Sequence, residues 1–205
     1  MFNERYAALR AAQTAKRDDD ETFDDHVFAC VLAAALADQA AVGLALTEGL
    51  GLTREETTAL FAERFPLSAS PLCLERAPDP VRPMEEDLLR DMLASHSAGH
   101  GRASAWLAVI IARRAMRDDH LWQDLGLFSR AELGRLLARH FPALHAGNTN
   151  NMRWKKFFYR RLCELEGFSL CAAPHCSVCV DFLACFGDED GLSRLAMTAR
   201  EASAH

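Results

Sequence analysis

Four cysteines, Cys171, Cys176, Cys179 and Cys185, fall in one short stretch with the spacing C-x4-C-x2-C-x5-C. Thiolates are the protein ligands of iron–sulfur clusters, and four of them on a short loop can wrap a cubane. Structural zinc also takes four cysteines, but usually as two C-x2-C knuckles separated by about a dozen residues or more. A single C-x2-C flanked on each side by one further cysteine favours the cluster over zinc. Pro174 and the weak helical pattern around it read as a loop. The chain holds seven cysteines, an odd number. Its first ten residues, MFNERYAALR, carry charges where a secretory signal needs an apolar run. Both features argue against a disulfide framework and for a cytoplasmic protein.

Just before this loop stand Arg153, Lys155, Lys156, Arg160 and Arg161, five positive charges in nine residues. Trp154, Phe158, Leu162 and Leu165 share one face of the same stretch at helical spacing and read as core packing. Charge patterning leaves two roles open for the cations, a solvated face or a functional one. His120 and Asp124 are four apart, so on a helix they share a face. Such a pair can be a carboxylate orienting a metal-bound imidazole, or an ordinary surface pair. His96 and His100 have the same spacing, but Gly99 and Gly101 place them in a loop. Cys30 reads as a small core residue, and Cys73 and Cys163 carry no assigned role.

The elements that must position these groups are helical. No segment alternates β-branched and polar residues, and Ala, Leu, Arg and Glu dominate. Helices are expected over 3–15, 24–48, 54–64, 84–96, 102–123, 130–140 and 150–166, with a last short one over 192–202. Thr53 with Glu56, and Ser129 with Glu132, read as capping boxes. Phe65-Pro66 and Phe141-Pro142 each end a helix. Residues 68–83 hold four prolines and read as a linker. The acidic run from Asp18 to Asp25 reads as a solvated lead-in complementing a helix dipole.

A repeat is visible by eye. Residues 28–52 align with 103–127 at an offset of 75, and 53–66 align with 129–142 after one inserted residue, Phe128. Of 39 aligned positions 14 are identical, among them Leu-Gly-Leu and the closing Phe-Pro. His120 and Asp124 belong to the second copy alone, which has Ala45 and Gly49 as counterparts in the first. The expected architecture is one all-α domain over 1–205. It comprises two related helical repeats packed together (about 24–66 and 102–142), the linker, and a basic helix with the cluster loop over about 150–187. The net charge of −6 and pI of about 5.7 argue against general nucleic-acid binding. The apolar run from Val27 to Leu46 contains Asp38 and Gln39, so a buried core helix is expected rather than a membrane span.

The Pro-His-Cys entry and C-x2-C-x5-C tail of the loop are similar to those of endonuclease III-type DNA glycosylases. Such a likeness implies a structural or redox [4Fe–4S] cluster, with action on nucleic acid. The glycine-rich helix–hairpin–helix turn and its catalytic lysine have no counterpart here. A wider resemblance joins Asp119–Leu127 (DHLWQDLGL), Asn151–Arg160 (NMRWKKFFYR), the cysteine loop and Cys185–Glu189 (CFGDE). Together these resemble the NifQ family. The resemblance implies a non-enzymatic iron–sulfur protein of nitrogen fixation, which carries molybdenum and passes it on for iron–molybdenum cofactor assembly. Its cluster would be a Mo–Fe–S cubane or a [4Fe–4S] or [3Fe–4S] precursor, held by Cys171, Cys176, Cys179 and Cys185. The implied partners are the cofactor scaffold complex, the nitrogenase iron protein and molybdate, with no nucleic acid and no membrane. His120, Asp124 and His175 become candidates to ligate or flank molybdenum. Arg153, Lys155, Lys156 and Arg160 become candidates to attract molybdate or dock a partner.

Overall fold

A computed structural model describes residues 2–13, 18–68, 74 and 77–166. The cysteine motif, His175, Cys73 and the expected helix over 192–202 lie outside the described residues, as do the side chains of Cys163 and Leu165. Among the described residues the protein is helical, with no strand. The helices are α1 (Phe2–Ala11), α2 (Asp19–Val42), α3 (Leu46–Leu50), α4 (Arg54–Arg64), α5 (Met84–Ser95), α6 (Gly101–Ala115), α7 (Leu121–Asp124), α8 (Arg130–His140), α9 (Pro142–Gly147) and α10 (Trp154–Glu166).

Both long helices expected from periodicity are each broken in two. The first stops at Val42, where Gly43 turns left-handed at φ 72° and its N–H returns to the Gln39 carbonyl. The second stops at Ala115 and restarts as α7 after His120. Each restart is stabilised in the same way. The Glu48 side chain accepts from the Ala45 N–H at 3.2 Å, and the Gln123 side chain accepts from the His120 N–H at 3.2 Å. A local acceptor for an end-of-helix donor makes such a break cheap, and apolar periodicity does not register it.

Helix α2 also starts earlier than expected. The Asp18 carboxylate accepts from the Glu21 N–H at 2.7 Å, which places Asp19, Asp20 and Glu21 in the first turn. The second half of the acidic run is not solvated. Asp24 and Asp25 are 2 % and 3 % exposed. Asp25 pairs with Arg64, and Asp24 with Arg139 and His140. Arg64 and His140 are the last residues of α4 and α8. The two short helices thus deliver their final side chains to neighbouring carboxylates on α2.

By length and composition α2 is the one helix among the described residues apolar enough to cross a membrane. Here it is the core helix: Phe28 to Ala33 are fully buried. Phe28 meets Trp106 of α6 edge-on, with ring centroids 6.1 Å apart. Cys30 is buried among them, as expected. The proline-rich stretch is bound rather than loose where it is described. Thr47 donates to the Pro78 carbonyl, the Arg54 N–H to Asp79, and Arg113 to the Val81 carbonyl.

The capped helices behave as the sequence predicts, with one difference. Thr53 and Glu56 cap α4 reciprocally, at 3.2 and 2.9 Å. Ser129 accepts from the Glu132 N–H, but the Glu132 carboxylate takes the N–H of Phe128, the inserted residue. Phe65 and Phe141 end α4 and α8 with nearly the same backbone, φ −134° and −138°, ψ 55° and 57°. The glycines of the two Leu-Gly-Leu turns are both left-handed, Gly51 at φ 74° and Gly126 at φ 71°.

Gly126 is also pressed against α2. A Cβ there would stand 2.8 Å from the Cys30 carbonyl oxygen and 2.9 Å from the Phe2 ring. Gly126→Ala is therefore expected to cost at least about 2 kcal/mol, from the wrong-handed backbone plus the clash. Gly134, inside α8, has nothing within 4 Å of a Cβ. Gly134→Ala is expected to stabilise by about 0.5–1 kcal/mol. Urea unfolding of both variants beside the parent checks the opposite signs.

Candidate functional site

The described chain ends in α10, four residues short of Cys171. Its start is set by a tight turn rather than by periodicity, which pointed to residue 150. Asn148 and Met152 exchange two bonds: the Asn148 amide donates to the Met152 carbonyl at 2.9 Å, and the Met152 N–H donates to the Asn148 side-chain oxygen at 2.8 Å. Asn151 between them is left-handed at φ 50°, a conformation that asparagine tolerates better than most residues. One guanidinium nitrogen of Arg130 binds the Asn151 carbonyl, its side chain and the Met152 carbonyl. The helix begins only after this knot.

The apolar face of α10 is core, as its pattern indicates: Trp154, Phe157, Phe158, Tyr159 and Leu162 are buried. Trp154 lies between His145 and the two phenylalanines, with centroids 5.8 to 6.0 Å apart.

The cations of α10 do not form one uniform face. Lys155 is mostly buried, its side chain 16 % exposed. Its ammonium donates to the Asp124 carboxylate at 2.5 Å and to the Arg117 carbonyl at 2.6 Å. Arg153, Lys156 and Arg160 are half-buried, and Arg160 and Arg161 pair with Glu164 one turn on.

Asp124 closes α7 with its side chain 4 % exposed. Burial raises its carboxyl above the ordinary range, more than the charge and hydrogen bond of Lys155 and the charge of Arg117 lower it. Arg117 stands 3.9 Å away on the other carboxylate oxygen. Arg117 and the buried Arg114 in turn share Asp38 of α2. Burial also opposes ionisation of Asp38, but hydrogen bonds from Arg117 and Arg114 outweigh it and hold the carboxyl low. His120 caps α7 from its N-terminal side, while Asp124 ends it. The pair is therefore a helix entry and a helix exit, not two residues along a continued helix.

The fold brings the 120–124 patch and the basic helix together, and Lys155 and Asp124 make that junction. Missed were Arg114 and Arg117, which look like unremarkable surface charges in the sequence, and their pairing with Asp38 inside the apolar run. The available signal was the alignment of the two copies: Asp124 and Arg117 stand where the first copy has Gly49 and Val42. Also missed was the buried set of Asp24, His140 and Ser104. The His140 ring bridges Asp24 and Ser104 at 2.9 Å on each side.

Among the described residues no three His, Cys, Asp or Glu side chains gather as a metal-binding group. The donor set whose chemistry suits a cluster is the four-cysteine motif, which lies beyond Glu166. Four closely spaced thiolates fit an iron–sulfur cluster on ligand type. The described residues thus define a helical protein, and the sequence beyond its last described helix holds the four-cysteine motif.

A model of the NifQ family matches residues 27–187, and the chain belongs to that family. It is 50 % identical over 177 residues to the "Protein NifQ homolog" of Sinorhizobium fredii (strain NBRC 101917 / NGR234), covering 86 % of this chain and 77 % of that one. It is 39 % identical over 152 residues to "Protein NifQ" of Rhodobacter capsulatus, covering 74 % and 83 %. Over 109 residues it is 44 % identical to "Protein NifQ" of Azotobacter vinelandii, covering 53 % and 56 %. No solved structure matches the chain.

Proposed function

We propose that this protein is a cytoplasmic molybdenum carrier, not an enzyme, that serves iron–molybdenum cofactor assembly in nitrogen fixation. The observation that carries this reading is the Cys171, Cys176, Cys179, Cys185 motif inside the region matched to the NifQ family. These four thiolates would hold a [4Fe–4S] or [3Fe–4S] cluster, and with molybdenum a Mo–Fe–S cubane. Molybdenum is the cargo, received from molybdate and handed to the cofactor scaffold complex and the nitrogenase iron protein. Neither nucleic acid nor membrane is a partner in this reading. A metal that arrives and leaves needs ligands weaker than thiolate, and neutral imidazole is one. His120 and His175 are the proposed candidates. The helix succession α2–α3–α4 and its counterpart α6–α7–α8 are proposed as two related repeats in one domain.

Anaerobic purification followed by iron, molybdenum and zinc analysis with EPR tests the function. Iron together with molybdenum is the expected result. Iron alone, with no exchange against molybdate, would mean a structural or redox cluster of the glycosylase type. Zinc alone would remove the cluster altogether.

The cations of α10 bear on delivery. Charge reversal at Lys155 would break its buried pair with Asp124, so the charge of α10 is probed at Arg153 and Lys156 instead. Arg153→Glu/Lys156→Glu is expected to keep the parental iron content and slow molybdenum transfer. Transfer by the parent should slow as salt rises, because exposed charges more than about 10 Å apart are largely screened at about 0.1 M salt. Transfer that ignores both salt and charge reversal would assign these residues to an ordinary solvated face.

A further inference from the structure

Five charges alternate in sign along one connected path: Arg114, Asp38, Arg117, Asp124 and Lys155. The path runs from α2 and α6, through Arg117 and the last residue of α7, to the first turn of α10. Its last pair is absent from the first repeat copy. There Gly49 stands at the place of Asp124. Yet α3 keeps the same side-chain acceptor at its start and the same left-handed glycine at its end as α7. The turn therefore forms without a carboxylate, and Asp124 serves something else. Its hydrogen-bonded partner, Lys155, lies on α10, which the first copy lacks, since the proline-rich stretch follows Pro66 instead.

Attachment alone is a weak reason for this pair. Replacing a buried ion pair with well-packed apolar residues is often neutral or stabilising. Five buried apolar side chains already fasten α10 to the core. A charge pair adds directional acceptors, which fix register more closely than an apolar stripe does. A slip of about one turn keeps an apolar stripe on the core, but moves the helix by about 5.4 Å. Such a slip would carry the Lys155 ammonium away from both of its acceptors.

We propose that Lys155 and Asp124 are a positioning pair that sets the register of α10, the helix whose sequence continues into the cysteine motif, and so supports retention of the cluster. This rests on the reading that the motif holds a cluster. Cluster retention depends on how the groups behind the ligands hold them, and removing such support commonly weakens metal binding by about 10- to 100-fold.

The test uses the full-length protein with its cluster reconstituted anaerobically. Lys155→Met, Asp124→Asn and the apolar double variant Lys155→Met/Asp124→Leu are compared with the parent. Helix content, unfolding temperature, EPR line shape and the rate of iron loss to a chelator are measured. The single variants are expected to lose iron roughly tenfold faster with a broadened EPR signal. The double variant is expected to regain the parental unfolding temperature but not the parental iron retention, and it carries the test even where a single variant unfolds. Parental retention in the double variant would overturn the proposal and leave the pair a purely stabilising role. A parent that binds no iron at all would overturn the cluster reading, and this inference with it.

Discussion

A Cys176→Ala/Cys179→Ala variant is expected to emerge from anaerobic purification colourless and nearly free of iron. With two of four thiolates gone, a cubane keeps too few protein ligands to compete with solvent and chelators. Cys30→Ala is the informative control and should retain the parental iron content. Cys30 is fully buried in α2, and burial pushes its thiol up to about 12. At neutral pH it is a protonated thiol, and the thiolate is the form that binds metal. Cys73→Ala, which lies outside the described residues, is expected to behave the same way. Iron analysis and the visible spectrum read both results. Full iron in the double variant would remove the motif from the metal chemistry.

Asp24→Ala is expected to be among the most damaging single changes in the helical body. Asp24 accepts from Arg139 at 2.9 and 3.1 Å and contacts the His140 ring at 2.9 Å, with its side chain 3 % exposed. Removing one partner from such a buried set costs about 3–5 kcal/mol, because the remaining groups stay buried without it. Whole domains are commonly stable by only about 5–15 kcal/mol, so part of the variant population should be unfolded near body temperature. Burial on its own would raise the Asp24 carboxyl. Hydrogen bonds and charge from His140 and Arg139 outweigh it and hold the carboxyl below its ordinary value. The unfolded chain titrates near pH 3.9. The stability from Asp24 is therefore fully present above about pH 4 and is lost as pH falls through the lower, folded-state value. Denaturant titrations from pH 7 down to pH 3 should show this decline in the parent, and a flatter decline in Asp24→Asn. Equal acid slopes would mean that other carboxylates set the acid limit.

Much of the protein was legible from local pattern. The helical class, the Thr53 cap, the two Phe-Pro stops and the apolar face of α10 all depend on residues within about one turn of one another. The cysteine motif and the blocks around it likewise led to the NifQ family, which the comparison with residues 27–187 shows. The break after Val42 was missed because apolar residues, Leu44 and Leu46, continue through it, and the break after Ala115 because the stretch 116–120 holds no glycine or proline to stop a helix. A glycine in one case, and a side-chain acceptor at the restart in both, ended helices that the pattern would have carried on.

Charge was the least legible property. Asp24 sits in a run that looks solvated, and Lys155 in a run that looks like a basic face. Each is instead paired inside the fold, Asp24 with Arg139 across 115 positions and Lys155 with Asp124 across 31. The amino-acid sequence by itself determined the helical class, the Thr53 cap, the two Phe-Pro stops and the family, because those depend on near neighbours and on residue type. Which carboxylates and ammonium groups leave water was settled by tertiary packing, because burying a charge is tolerable only where a distant partner arrives to meet it.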